Sequence, residues 1–314
     1  MKNRRIGLIG NDDDPEVELL KQRIEDLGAQ AVVLDFTQFP RFTLASLSDI
    51  RIRYDDIDLA SLDAFYLRQL SYFSPFPQKQ LTEEEWADYF EKFNTYITNE
   101  REVMSFSESV VQILNELKPV VNPYETAFYH KLKVFQYWKL AGCGLEVPEF
   151  IAANDVFAMR EFVKRFPAVA KPLTGGFVTR FPEAALEAAR EDLRKRPVLV
   201  QREITGRMLR SFVLAGRLIG TCETISAPGE ADSRRDVVAM KPYDLEPRQR
   251  DVPVRACQAL GMIFAGVDLL VDEASGKVYV LECNPAPFFR NFEAQTGLPV
   301  SQALARYLVE EARK

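Results

Sequence analysis

The sequence predicts a mixed α/β protein with more than one domain, and three observations predict it. An apolar strand over 6–10, an amphipathic helix from Pro15 to about Leu27 and a second apolar strand over 31–36 make a βαβ opening. From Pro197 onward the chain turns strand-rich, with apolar runs at 198–201, 209–215, 218–223, 237–240, 263–271 and 277–283. At 314 residues the chain also exceeds the roughly 150 residues of a typical domain.

Each element has a local reason. Gly28 stops the first helix, and 62–67 forms a third strand. Gly7 and Gly10 do not extend into G-x-G-x-x-G, which removes a Rossmann dinucleotide reading. Two prolines make 71–81 a loop. Thr82 with Glu85 has capping-box spacing and opens a helix, or a broken pair of helices, running to about Leu117. A short strand and turn at 119–123 reads as a domain boundary. The helix over 125–141 is expected to bury Phe128, Leu132, Phe135 and Leu140, and Gly142 and Gly144 end it. A strand at 148–151 leads to a helix at 155–166 capped by Asn154 or Asp155. The strand at 166–172 meets a Thr174-Gly175-Gly176 turn, and 183–196 is helical. A helix over 248–260 precedes the last strand pair. The closing amphipathic helix, 300–312, turns Ala303, Leu304, Tyr307 and Leu308 inward.

Composition excludes several functions. Net charge is −6, with a pI near 5.2, which argues against a basic nucleic-acid binder. No apolar run reaches the ~20 residues that span a bilayer. The five apolar-rich residues before Asn11 are too few for a signal-peptide core. A cytoplasmic protein with no membrane partner is the expectation. Cys143, Cys222, Cys257 and Cys283 are widely spaced, which suits reduced structural thiols rather than a zinc or disulfide framework. His130 is the one histidine, so nucleophile–histidine chemistry would have to rest on it alone. Carboxylates, lysines and arginines are left to carry any catalysis.

The strongest local signal is the hairpin over 263–284. Asp268 interrupts one apolar strand; Glu282 and Asn284, two residues apart, share a face of the other. A register centred on Ser275 sets Asp268 opposite Glu282. These acids either face solvent, pair with Arg210 or Arg234, or converge on a hard divalent cation, and the three oxygen-bearing side chains favour the cation. Lys171 leaves a buried strand beside the Thr174–Gly175–Gly176 loop, an arrangement that suits a phosphate without being a Walker A. The stretch 194–217 carries seven basic residues against Glu203, fitting solvated faces or an anionic polyphosphate.

In this order the pieces resemble the ATP-grasp carboxylate–amine ligases, most closely the RimK-like branch and its microviridin-type ligases that modify ribosomal peptides. Asn122-Pro123 with Lys131 and the following Gly142 and Gly144-Leu-Glu-Val-Pro148 are similar to the family's first lysine segment. The run from Phe166 to Lys171 resembles its second. Val198–Ile204 resembles the adenine-contacting hinge, Asp232-Ser-Arg234 the Asp-aromatic-Arg element, and Asp268, Glu282 and Asn284 the Mg²⁺ ligands. Phe292–Pro299 resembles the end of the peptide-ligase pattern, and Tyr66-Leu-Arg68 and Glu100 faintly resemble its first domain.

The resemblance implies an α+β sandwich of ATP-grasp type: an N-terminal α/β pre-ATP-grasp domain over 1–119, a central lid subdomain over 120–200 and a C-terminal subdomain with the metal site over 201–314. It implies ATP and Mg²⁺, two ions with Mn²⁺ as a substitute. Lys131, Lys171, Thr174, Gly175, Gly176, Gln201, Arg202, Glu203 and Ile204 hold the nucleotide, and Arg210 and Arg234 stabilise developing charge. A substrate carboxylate, on a small molecule or peptide, becomes an acyl phosphate with release of ADP, and an amine or hydroxyl captures it. A homodimer fits the same branch. An ATP-grasp kinase and a non-catalytic nucleotide-binding module are the alternatives. Met208 stands where the family often has a ribose-binding acid, Ser233 replaces an aromatic, and Asn284-Pro-Ala-Pro-Phe-Phe-Arg290 departs from Asn-Pro-x-Gly-Gln-Trp. Two physical expectations follow. Asp268→Asn or Glu282→Gln abolishes turnover while apo stability holds or rises as carboxylate repulsion falls. The loop over 174–177 is mobile until nucleotide binds.

Overall fold

A computed structural model describes residues 4–36, 41–46, 50–70, 81–174, 178–226 and 237–312. The chain separates into two compact units, 1–124 with 305–314, and 125–304.

The first unit is built on a parallel sheet. Strands β1 (Arg5–Ile9), β2 (Gln30–Leu34), β6 (Ala64–Leu67) and β7 (Val120–Val121) lie in the order β2-β1-β6-β7. Helix α1 (Pro15–Asp26) connects the first two; Asp14 caps it by accepting from Glu16 N, and Pro15 occupies its first turn. A small antiparallel sheet, β3 (Phe42–Ser46), β4 (Ile50–Tyr54) and β5 (Ile57–Asp58), was not expected. Tyr54 fixes it by stacking on Phe36 and donating to the Asp35 carbonyl. The capping box on Thr82 opens α2 (Glu83–Glu91), and a non-helical Lys92 separates it from α3 (Phe93–Leu117), the broken-pair outcome. The loop expected at 71–81 falls, except for Leu81, outside the described residues.

The second unit begins with α4 (Tyr124–Ala127), whose first residue belongs to the other unit, and a 3₁₀ turn over Tyr129–Lys131. Helix α5 (Lys133–Gly142) follows. Its phase corrects the expected buried set: Leu132 leaves helical geometry at φ −114, ψ 48, so the period restarts at Lys133. The buried stripe is Lys133, Gln136, Tyr137 and Leu140, while Leu132 and Phe135 face outward and Phe128 is half-buried.

A four-stranded sheet of order β10-β9-β11-β8 contains β8 (Phe150–Ala153), β9 (Ala168–Lys171), β10 (Thr179–Arg180) and β11 (Val198–Arg202). Its apolar face packs on α6 (Val156–Arg165), which Asp155 caps, and on α7 (Glu183–Ala188) and α8 (Arg190–Leu193). The single helix expected over 183–196 breaks at Ala189.

The second sheet is antiparallel, β14-β13-β12-β15-β16, from β12 (Gly206–Leu214), β13 (Arg217–Ser226), β14 (Val237–Pro242), β15 (Phe264–Asp272) and β16 (Val278–Asn284). Its core packs on α5 and α9 (Asp251–Leu260) through Leu140, Leu209, Val213, Cys257, Leu260 and Val280. Short α10 (Arg290–Thr296), which was not expected, packs against β14. Helix α11 (Val300–Glu311) closes the chain, with Leu304 and Leu308 buried.

Candidate functional site

The site is built on the β15–β16 hairpin, and its register is more interesting than the simple centring on Ser275. Next to the turn the strands pair as Val271–Val278, Leu270–Tyr279 and Leu269–Val280, one residue out of that register. A bulge between Asp268 and Leu269 takes up Leu281, and beyond it Asp268 faces Glu282 and Gly266 faces Asn284. The expected pairing of the two acids is therefore reached through a bulge, which returns Glu282 to the face it would otherwise leave. Asn284 Nδ2 lies 3.4 Å from Asp268 Oδ2, so these side chains share that face.

Both acids meet cations. Arg210, opposite Asp268 in the β12–β15 register, places Nε 2.7 Å from Asp268 Oδ1 and Nη2 3.3 Å from Oδ2. Its side chain is only 15% exposed, with Phe292 beside the guanidinium, 5.6 Å from ring centre to Cζ. A Cβ at Gly266 would collide with Arg210 Nη1, so the glycine is what lets the guanidinium lie here. Glu282 is held by Lys133, whose Nζ is 2.6 Å from Oε1. The pairing with Arg210 that sequence offered as an alternative to a cation is present in the unliganded chain.

Gln136 also clamps helix α5 to this hairpin, through the hairpin's backbone. Gln136 is fully buried; its Oε1 accepts from Cys283 N at 2.9 Å, and its Nε2 donates to the carbonyls of Cys283 and Tyr129 at 3.2 and 2.7 Å. Strand β16 is a sheet edge, so Gln136 satisfies backbone groups that no further strand reaches. Next to it, Gln201 Nε2 donates to Tyr137 Oη at 3.1 Å. Burial keeps that phenol protonated, well above its ordinary range.

These residues open onto a cavity of about 990 Å³. Lys171, Gln201, Arg202, Glu203 and Ile204 line it from the four-stranded sheet and the segment after it; Arg210, Asp268 and Glu282 line it from the other sheet. Glu203 pairs with Arg180 at 3.0 Å and Arg202 with Glu149 at 3.2 Å. Met208 also lines the cavity. The structure departs from the expected set at Lys131. It is Lys133 that reaches the cavity, because the chain leaves helical geometry at Leu132, while Lys131 lies on the 3₁₀ turn over Phe128. Thr174 and Asn284 are not among the lining residues, although Asn284 contacts Asp268. Gly175, Gly176, Arg234 and the 175–177 part of the expected mobile loop lie outside the described residues.

Three of the four thiols are buried, and Cys143 is exposed. Burial pushes Cys222 up to about 11, Cys257 up to about 12 and Cys283 well above its ordinary value. Among the described residues no three Asp, Glu, His or Cys side chains cluster as a self-sufficient metal site. Two carboxylates and an amide on one face fit a hard cation that takes its remaining oxygens from phosphate and water. No helix among the described residues is long and apolar enough to cross a membrane.

Comparison with known proteins agrees with this geometry. The profile of the RimK-like ATP-grasp domain matches residues 131–308, more than half of the chain. Solved structures share the whole fold. The ATP-grasp ligase PsnB, complexed with a phosphomimetic variant of its minimal precursor, Mg and ADP, superposes with a TM-score of 0.85 at 25% identity over 99% of both chains. The macrocyclase MdnC from Microcystis aeruginosa MRC, bound with precursor peptide MdnA, gives 0.76 at 20% identity over 98% of this chain and 99% of that one, a likeness of fold. The fold is thus that of the ATP-grasp ligases, and the chain belongs to the RimK-like ATP-grasp family. Among curated relatives, a probable alpha-L-glutamate ligase 1 of Shewanella amazonensis is 31% identical over 198 residues. A probable alpha-L-glutamate ligase of Cellvibrio japonicus is 30% identical over 197 residues. The matched stretches are 59% and 58% of this chain, and 64% of each relative's length.

Proposed function

We propose that this chain is an ADP-forming, ATP-dependent ligase that activates a carboxylate on a peptide or amino acid and joins it to an amine. The observation that carries the reading is the cavity where Lys133, Lys171 and Arg210 face Asp268 and Glu282. The PsnB structures with precursor, Mg and ADP support a peptide substrate.

In this reading Lys133 and Lys171 bind phosphate oxygens, with Lys131 as an outlying candidate, and the Gln201–Ile204 segment seats the base and ribose. Lys133 then exchanges Glu282 for phosphate, which frees that carboxylate as a ligand. Asp268, Glu282 and Asn284 would hold Mg²⁺, whose chemistry is to neutralise phosphate charge during transfer. Arg210 keeps its guanidinium fixed on Asp268 at the cavity wall and places its positive charge beside the oxyanion of the reacting carboxyl group. Arg234 is assigned the same task. Positioning and fixed charge supply the rate; no side chain serves as a covalent nucleophile. Assembly as a homodimer is part of the reading and is checked by light scattering.

The test is mass spectrometry of the full chain with ATP, Mg²⁺, candidate acids and amines. ADP, phosphate and an amide are expected. AMP overturns the reading; a stable phosphorylated product indicates a kinase; binding of ATP without turnover on any acid indicates a nucleotide-binding module.

A further inference from the structure

The segment after the hairpin handles two adjacent phenylalanines in opposite ways. Phe289 is fully buried and packs edge-on against Phe264, at 6.2 Å between ring centres. Phe288 is 67% exposed and lines the cavity. Buried Pro285 and Pro287 restrict the backbone leading into this pair. Phe292, in α10, sits between: it packs edge-on against Phe212 and lies under the Arg210 guanidinium. Ile225, Val237 and Met240, all half-buried, line the same cavity from β13 and β14. The cavity thus includes apolar surface that phosphates do not need and that water wets poorly.

A carboxylate engaged by Arg210 has Phe292 beside it, and Phe288, four residues earlier in the chain, lines the same cavity. An extended peptide advances about 3.3–3.6 Å per residue. Arg210, Phe292 and Phe288 line one cavity, which brings this apolar surface within reach of the residue next to the activated one, or the one after it. We propose that the acidic substrate carries a bulky apolar side chain, aliphatic or aromatic, within two residues of the activated carboxylate, and that Phe288 selects for it. This rests on the ligase reading and narrows its substrate class. Phe288 is a specificity residue, and its exposure means that its removal leaves the core intact.

The test uses the full chain with ATP, Mg²⁺ and hydroxylamine, which captures an acyl phosphate as a hydroxamate with release of phosphate and so dispenses with the unidentified amine. The probes are acetyl-Glu-Phe-amide, acetyl-Phe-Glu-amide and acetyl-Glu-Gly-amide, with their aspartate counterparts. The better phenylalanine peptide is expected to exceed its glycine counterpart by about tenfold or more in kcat/KM, the scale of apolar-pocket discrimination. Phe288→Ser is expected to bring that ratio to within about twofold, and Phe288→Trp to keep it. Calorimetric titration of the same peptides with a non-hydrolysable ATP analogue present should show the same order in Kd. Turnover without the preference, or a preference that survives Phe288→Ser, overturns this inference and leaves the ligase reading standing. ADP from none of the peptides, nor from free glutamate or aspartate, overturns both.

Discussion

Replacing Asp268 by asparagine separates two accounts of the hairpin acids. If they mainly repelled one another, as their spacing in the sequence suggests, losing one charge would leave the apo protein as stable or more so. The structure gives the opposite sign. Arg210 grips Asp268 through two nitrogens at 2.7 and 3.3 Å, and Lys133 neutralises Glu282 at 2.6 Å, so the four groups already sum to zero charge. Asparagine leaves the set one charge positive and leaves the guanidinium facing an amide. Breaking a fully buried pair costs about 3–5 kcal/mol and an exposed one at most about 1. The side chains here are 15% and 24% exposed, and asparagine keeps one acceptor oxygen, so a cost of about 1–2 kcal/mol is expected. For a unit of this size that lowers the midpoint by about 2–8 °C. The assay is a thermal melt in chelator without nucleotide, repeated with ATP and Mg²⁺, whose stabilising shift should vanish in the variant. Asp268→Asn/Arg210→Met, which removes both charges, should recover part of the loss. An unchanged or raised apo midpoint in Asp268→Asn refutes the ion-pair account.

Lys133→Met should abolish ATP-dependent stabilisation while Lys131→Met largely keeps it; equal losses in the two melts would return the phosphate role to Lys131. Gln136→Leu strands the N–H and C=O of Cys283 at a buried edge and should cost about 2–4 kcal/mol in thermal or urea unfolding, and a variant within about 0.5 kcal/mol of wild type would show that the clamp is dispensable. Gly266→Ala should displace Arg210 and lower kcat while leaving the ATP-dependent thermal shift in place; normal kcat counts against Arg210 as the oxyanion partner. Burial holds His130 below its ordinary value of 6.5, so the folded chain resists protonating it. Its contribution to stability is complete above about pH 6.5 and is lost as pH falls from there through the lower folded value. His130→Gln should therefore flatten the midpoint-against-pH curve on that limb, and an unaltered slope excludes the effect.

The fold was legible where one residue pattern has one physical solution. The βαβ opening, the capping box at Thr82 and the apolar runs of the second sheet all form as their patterns require. The β4 alternation, Ile50-Arg-Ile-Arg-Tyr54, carries a strand signal, but a weak one, because the run is short and rich in charge. The first candidate phosphate-binding lysine is read at Lys131, two residues from the lysine that lines the cavity, for a different reason. Phe128, Leu132, Phe135 and Leu140 make a plausible apolar stripe only if helix runs unbroken from 125, and the backbone at Leu132 cancels that phase. The true stripe, Lys133, Gln136, Tyr137 and Leu140, puts polar groups on a core face, which periodicity of hydrophobic residues counts as evidence against burial.

That inversion explains why the hairpin acids looked frustrated in sequence and are balanced in space. Glu282 is silent about its partner because Lys133 lies far away in the chain, on a helix brought to the strand by Gln136. The register that presents Glu282 depends on a bulge at Leu281, which the turn sequence does not encode. A bulge and a buried glutamine are both local departures from regular pairing, and each one aims a charged side chain into the cavity. The same cation that pairs with Glu282 is the one a phosphate would have to recruit. In the proposed reading, ligand binding is coupled to breaking the Lys133–Glu282 pair, and Glu282 would become available for a metal ion only when an anion has taken its lysine. Nucleotide and metal should accordingly bind with positive cooperativity: Mg²⁺ alone should bind weakly and ATP should raise its affinity, and Lys133→Met should remove that dependence by leaving Glu282 without its internal competitor. Calorimetric titration of Mn²⁺ into wild type and variant, with and without a non-hydrolysable ATP analogue, measures it; tight metal binding by the wild-type chain without nucleotide contradicts the exchange.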